Sequence, residues 1–274
     1  IAGMVFLVDR PDLMFVLCLY IGVAAGFSTT AGQAYLIHAA PRTSLGLGSA
    51  AFFMGMTLGS ATGSRLAGMV VESGGFEAIG LAMVGVTVIV LTCAAGFMPE
   101  IETDLSPPSA SGSGISEYLR LLRKPNVRLL IAVRFLPTVY WGTATLLIPL
   151  LIFRATGEIS TAANFTAVSL VIAAACQMLV GRLADSIGPR WPTLTASTCV
   201  ALSAIGIGLF AESVTGLFVF GITGAAAAWS VSTMMPRLID YITEAGEKGR
   251  VVGMAHLGWS LAMLTGSLWG GQAV

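Results

Sequence analysis

The chain is expected to be an all-α polytopic membrane protein, and three observations carry that reading. Of its 274 residues, 55% are hydrophobic and only 10% are charged. A water-soluble domain carries about 25% charged residues, so the polar groups here are too few to cover a water-facing surface. The apolar residues also fall in blocks of roughly 20 or more, the length a helix needs to cross a bilayer. Finally, these blocks show no period-2 alternation, the mark of a transmembrane barrel. In lipid every backbone N–H and C=O must be paired internally, which leaves the helix as the only spanning element.

Eight segments are long enough to span, at about 13–37, 45–71, 76–98, 127–153, 161–183, 191–211, 213–235 and 250–273. Residues 1–8 read as the tail of a preceding span. Residues 99–126 form the one long polar stretch, with Pro107-Pro108 and Ser109-Ala110-Ser111-Gly112-Ser113-Gly114. Such a composition buries too little apolar area to fold alone, so it reads as a linker. Within it, Ile115 to Lys124 reads as a surface helix, with Arg120, Arg123 and Lys124 near its end. The chain thus divides into a first helical group at 1–98, the linker at 99–126 and a second helical group at 127–274. It opens on Ile1 and stops in an apolar run soon after Gly271, and so reads as an internal part of a longer protein.

Lys and Arg set the orientation. One set of alternate loops holds Arg42, then Arg120, Arg123, Lys124 and Arg128, then Arg182 and Arg190, then Arg237, Lys248 and Arg250. The opposite side holds Arg10 and Arg154, with Arg65 near that end of its span. The positive-inside rule places the linker and the Gly181 loop in the cytoplasm. Net charge is zero, which offers no field for nucleic acid. Cys18, Cys93, Cys176 and Cys199 all lie inside apolar runs and read as small buried hydrophobes, not as a disulfide or metal set.

The stretch Gly181-Arg182-Leu183-Ala184-Asp185-Ser186-Ile187-Gly188-Pro189-Arg190 lies between two apolar spans. It resembles the GxLADxxGxR signature of the major facilitator superfamily, which sits in a cytoplasmic loop between membrane helices. The resemblance extends over essentially the whole chain. It implies a two-bundle secondary transporter in which these spans are helices 4 to 11 of twelve. The loop between helices 8 and 9 then carries the family's second copy of the signature. Gly181 and Gly188 permit a tight turn and close helix approach. Asp185 is suited to receive helix N-terminal N–H groups or a nearby Arg. An ion pair of that kind, made in one conformation and broken in another, biases a gate. The resemblance gives this gating role to Gly181, Arg182, Asp185, Gly188 and Arg190.

A second motif, Gly55-x3-Gly59-x3-Gly63, puts three glycines on one helix face, where backbones approach closely in lipid. With Ser60 it resembles the family's helix-5 signature GxxxGPxxGG, associated with proton-driven exporters. Here Ser60 replaces the Pro and Ser64 the last Gly. A weak internal repeat accompanies it. Gly59-Ser60-Ala61-Thr62-Gly63-Ser64 matches Gly266-Ser267-Leu268-Trp269-Gly270-Gly271, and Gly22-Val23 matches Gly221-Ile222. A duplicated transporter would carry such a pattern, and it makes Gly266 and Gly270 packing candidates as well. Tyr20 to Gly26 resembles the helix-4 segment of proton-coupled members, without the Arg usual there.

Ionisable groups inside spans are costly and mark function. Arg134 is a candidate anchor for an anionic group, a partner for a carboxylate in helices outside these eight, or a snorkelling side chain at the interface. His256 has an unperturbed pKa suited to switching, or is a structural histidine. No Asp or Glu sits deep in any span. The resemblance makes helices 1, 4, 7 and 10 cavity-lining, which nominates Thr138, Tyr140, Trp141 and Thr145 of the seventh, Trp229, Ser230 and Thr233 of the tenth, and Ser28 and Gln33 of the fourth for substrate binding. Tyr140 and Trp141 present flat faces to an apolar or cationic substrate. Pro137 and Pro149 are placed to kink their helix.

No phosphate-binding loop, HExxH or Cys/His cluster appears, so neither an ATP-driven pump, an enzyme, a metal site nor a resident cofactor is expected. The expectation is a monomeric transporter in the plasma or inner membrane. Its partners are a small-molecule substrate, protons as coupling ion and membrane lipid, with no nucleic acid. Proton-coupled export of an amphipathic compound is the leading reading. Uptake of a small, anionic metabolite and a transporter-like receptor are the alternatives.

Overall fold

A computed structural model describes residues 10–97 and 114–272, and all of its long elements are helices. The tail at 1–8 and most of the polar linker lie outside the described residues. In chain order the helices are α1 (Pro11–Ala39), α2 (Leu45–Phe97), α3 (Ile115–Arg123), α4 (Pro125–Thr156), α5 (Ile159–Ile187), α6 (Arg190–Leu209), α7 (Val214–Ile242) and α8 (Lys248–Gln272). A 3₁₀ turn, Ala245–Glu247, precedes α8. Eight stretches are long and apolar enough to cross a membrane, because α2 supplies two of them, Leu45–Gly63 and Ser73–Phe97.

The eight expected spans are therefore present, but two of their boundaries differ in an informative way. Residues 45–71 and 76–98 were expected to be separate helices. They run as one, broken in φ/ψ only at Gly75, with φ 70° and ψ −173°. That region is nearly closed to residues with a Cβ, so a glycine redirects the chain without a loop. The Gly181 stretch, expected as a loop, is helical through Ile187. Only Gly188 (φ 84°) and Pro189 form the connection to α6.

Local chemistry explains the other ends. Pro125 opens α4 at a position where its missing N–H costs nothing. Gly157, left-handed at φ 72°, closes it, and its N–H donates to the Phe153 carbonyl at 2.7 Å. Ser213 caps α7 by accepting the Gly216 N–H at 3.2 Å. Helix α4 stays helical through Pro137 and Pro149, and α7 through Pro236.

The described residues fall into two compact units, one from 10–32 and 62–97, the other from 33–61 and 114–272. In the first, apolar side chains stand exposed all round the second half of α2, from Leu81 through Val84, Val86, Val88, Ile89, Val90 and Leu91. An element apolar on every side is solvated by lipid or by other membrane helices.

In the second unit α4 packs along α8, and α7 packs against α4, α5 and α6. Small residues make this possible. Gly221, Gly224 and Ala225 to Ala228 are all buried on α7. Gly142 of α4 faces Gly266 of α8 so closely that a Cβ on Gly142 would lie 2.9 Å from the Met263 carbonyl oxygen. A Cβ on Gly270 would meet the Thr143 backbone at 3.3 Å. Without a hydrophobic drive between helices in lipid, such close backbone approach supplies the attraction. Toward the charged end, Leu121 of α3 is fully buried among Val127, Leu130, Met234, Met235, Ile239, Val251 and Val252. This pins the short amphipathic helix to the unit. Cys18 and Cys93 are exposed on their helices, and Cys176 and Cys199 are half-buried, not the buried set expected.

Candidate functional site

Asp185 stands at the last turn of α5 and faces the first turn of α2. The Gly46 N–H donates to Asp185 Oδ1 and the Leu47 N–H to Oδ2, each at 2.8 Å. These two N–H groups have no carbonyl partner within their own helix, because the first turn of any helix leaves its donors free. The carboxylate therefore neutralises both the orphan donors and the positive end of the helix dipole. Arg237 Nε of α7 lies 3.9 Å from Asp185 Oδ1. Arg237 also donates to the Arg42 carbonyl in the α1–α2 turn.

Glycine is required on both sides of this contact. A Cβ on Gly46 would lie 2.7 Å from Asp185 Oδ1, and a Cβ on Gly181 would lie 2.6 Å from the Gly46 carbonyl oxygen. The two glycines of the motif thus act differently: Gly181 admits α2, and Gly188 makes the turn. Arg182 and Arg190 are exposed, and Arg190 lies over the Trp191 ring at 5.8 Å. Further along α2, the Ser49 hydroxyl donates to the Thr233 carbonyl of α7. The Thr57 hydroxyl lies 3.0 Å from Gln177 Oε1.

Around the clamp the charged side chains of this end form two linked groups. Asp240 takes Lys248 Nζ, and Arg42 Nε lies 3.6 Å from it. Glu247 accepts from Lys124 Nζ at 2.7 Å and from Arg120 at 3.4 Å. Arg120 also pairs with Glu117 at 2.8 Å, and Arg250 lies 3.8 Å from Glu117. Glu247 and Lys248 are nearly buried, so these pairs are screened less than surface ones.

The second site lies between α4, α7 and α8. Arg134 is only 5% exposed and does not snorkel to the surface. Its guanidinium donates to Ser232 Oγ and lies 6.0 Å from the Trp259 ring centroid. Ser232 and Trp259 also line a small pocket with Pro137, Thr138, Trp141, Ala228 and Trp229. Trp141 and Trp229 meet edge to face with ring centroids 5.7 Å apart. Trp229 Nε1 and His256 Nε2 are buried without a hydrogen-bond partner among the described residues.

Of the residues singled out from sequence, Arg134, Thr138, Trp141 and Trp229 come together here, with His256 one turn from Trp259. Tyr140 and Ser230 do not line this pocket. The Tyr140 ring packs against Gly224, and its hydroxyl is buried without a partner. The Ser230 hydroxyl donates to the Ala226 carbonyl of its own helix. On α2, Gly55, Gly59, Ser60 and Gly63 are exposed, and an added Cβ at any of the three glycines would meet nothing within 4 Å. The repeat partners Gly266 and Gly270 are the ones packed against a helix here. The side chain of Arg65 lies outside the described residues. Sequence reading missed Gly46, Ser232, Trp259 and Glu247. Only Trp259, an aromatic one turn after His256, left a usable signal.

Eight bilayer-length helices, a charged clamp at one end and a pocket between helices describe a polytopic membrane transporter. The chain belongs to the Major Facilitator Superfamily, whose family model matches residues 1–267. No curated protein matches the chain. It is an integral membrane protein of a family of secondary transporters.

Proposed function

We propose that the protein moves a small molecule by alternating access, with the Asp185 clamp holding the cytoplasmic face closed in one state and releasing it in the other. The carrying observation is the paired acceptance of the Gly46 and Leu47 N–H groups by one carboxylate, backed by Arg237. The contact is charge-assisted and rests on one side chain, so it can form and break as a unit. Residues 1–98 and 127–274 are read as parts of the two moving bundles, joined by the linker at 99–126.

The finer reading is export driven by protons, by a monomer in the plasma or inner membrane. Its support is the resemblance of Gly55 to Gly63 to the exporter signature and the tryptophan-lined pocket. The test is accumulation of neutral, cationic and anionic amphipathic dyes in pump-deficient cells expressing the full-length protein. Lower accumulation of at least one dye, reversed by a protonophore, is the expected outcome. Lower accumulation untouched by the protonophore removes proton coupling. Movement of no solute in either direction removes the transport reading and favours a receptor.

A further inference from the structure

The pocket beside Arg134 has an electrostatic character that the transport reading alone does not specify. Arg134 is a buried cation, and no carboxylate lies within ion-pair reach of it among the described residues. Burying an unpaired charge is costly, so a site that keeps one is built to receive a counter-charge. Of its polar neighbours, Ser232 and Thr138 are already satisfied and Trp229 donates, while His256 Nε2 is buried without a partner among the described residues. Ser232 Oγ accepts from Arg134 while its own hydroxyl lies 3.2 Å from the Ala228 carbonyl. The Thr138 hydroxyl donates to the Arg134 carbonyl at 2.7 Å. Trp229 Nε1–H, a group that only donates, has no acceptor. The remaining guanidinium N–H groups and the indole N–H thus point to a ligand that only accepts.

An ionised carboxylate has that chemistry, with two oxygens that match the guanidinium fork. A cation is repelled by Arg134, and a neutral alcohol leaves the charge unpaired. Arg134 is bonded to Ser232, which with Thr138 forms the polar part of the lining, and the rest is flat and apolar: Trp141, Trp229, Trp259, Pro137 and Ala228. The free space holds about one water-sized group, enough for the head of a ligand and not its body. We infer that this pocket is the headgroup site for an amphipathic monocarboxylate, with Arg134 holding the carboxylate, Trp229 donating a further hydrogen bond and the tryptophan faces holding the start of an aromatic or aliphatic body. This names the substrate class of the transport reading and rests on it.

The test uses the purified full-length protein in nanodiscs and three probes with one body and different heads: benzoate, benzyl alcohol and benzylamine. Binding is read from quenching of tryptophan fluorescence. The expected result is saturable binding of benzoate at least tenfold tighter than that of the other two. Arg134→Gln should abolish that preference, and Arg134→Lys should keep part of it, since a point charge replaces the fork. Trp229→Phe removes the indole N–H together with one ring of the indole, and should weaken benzoate several-fold more than it weakens benzyl alcohol. It serves as the arm should Arg134→Gln fail to fold.

Equal binding of the three heads would overturn the inference. So would unchanged benzoate affinity in Arg134→Gln, or in Trp229→Phe where the Arg134 variant does not fold. Proteoliposome flux separates the two readings. Transport of neutral or cationic solutes with no head preference defeats the carboxylate site and leaves the transporter. Arg134-dependent benzoate binding without flux of any solute leaves the site and defeats transport.

Discussion

At the scale of single residues, the clamp depends on one carboxylate and one missing side chain. Gly46 leaves the space into which Asp185 fits, since a Cβ there would fall 2.7 Å from its Oδ1. Gly46→Ala should therefore push α5 away and cost about 1–3 kcal/mol of overpacking. A thermal melt of the detergent-solubilised protein checks this as a clear drop in midpoint. Asp185 was legible in the sequence because its motif is long and specific. Gly46 was not, because a lone Gly-Leu-Gly in an apolar helix has no signal until its partner 139 positions away is known. Arg134 was legible as a costly charge in a span. Its partners Ser232 and Trp259 were not, because they lie on other helices and rotation about a membrane helix is poorly fixed by an almost uniformly apolar sequence.

At the scale of elements, composition announced the helices and glycine decided how they end and meet. Eight spans follow from apolar length alone. That Gly75 bends one helix, and that the Gly181 motif is the end of α5, depend on tertiary contacts which keep a helix going past its polar residues. The α4–α8 seam makes the same point. Gly266→Ala would drive a Cβ into the backbone of α4 near Val139 and Thr143 and should destabilise the protein by about 1–3 kcal/mol, again read by thermal melting. The repeat in the sequence nominated Gly266 but gave no means to tell that its counterpart Gly59 would be exposed. For α3, the anchor is Glu247 with Lys124 and Arg120, below which Leu121 is buried. Glu247→Gln should loosen α3, seen as several-fold faster trypsin cleavage after Arg120 or Arg123. Unchanged cleavage would show that Leu121 alone holds the helix.

At the scale of the whole molecule, charge gathers at one end of the protein. Ten of the fourteen Lys and Arg residues lie on the side that positive-inside counting makes cytoplasmic. The ion pairs at Asp185, Asp240, Glu247 and Glu117 draw on that same set. The charges that positive-inside counting uses to orient the chain are thus the ones that pair at this end. The class of protein was readable from composition and one motif. That Asp185 would take helix N-terminal N–H groups or an Arg was also readable, but not that they belong to Gly46, Leu47 and Arg237, because backbone N–H groups far away in sequence leave no trace in side-chain pattern. The most direct test places spin labels at Thr43 and Ser186, either side of the clamp, in a cysteine-free form of the full-length protein and measures their distance distribution. The account predicts a dominant short distance that shifts to a longer population in Asp185→Asn, with the protein still folded in the membrane. An identical distribution in the two proteins would contradict a gating role for Asp185.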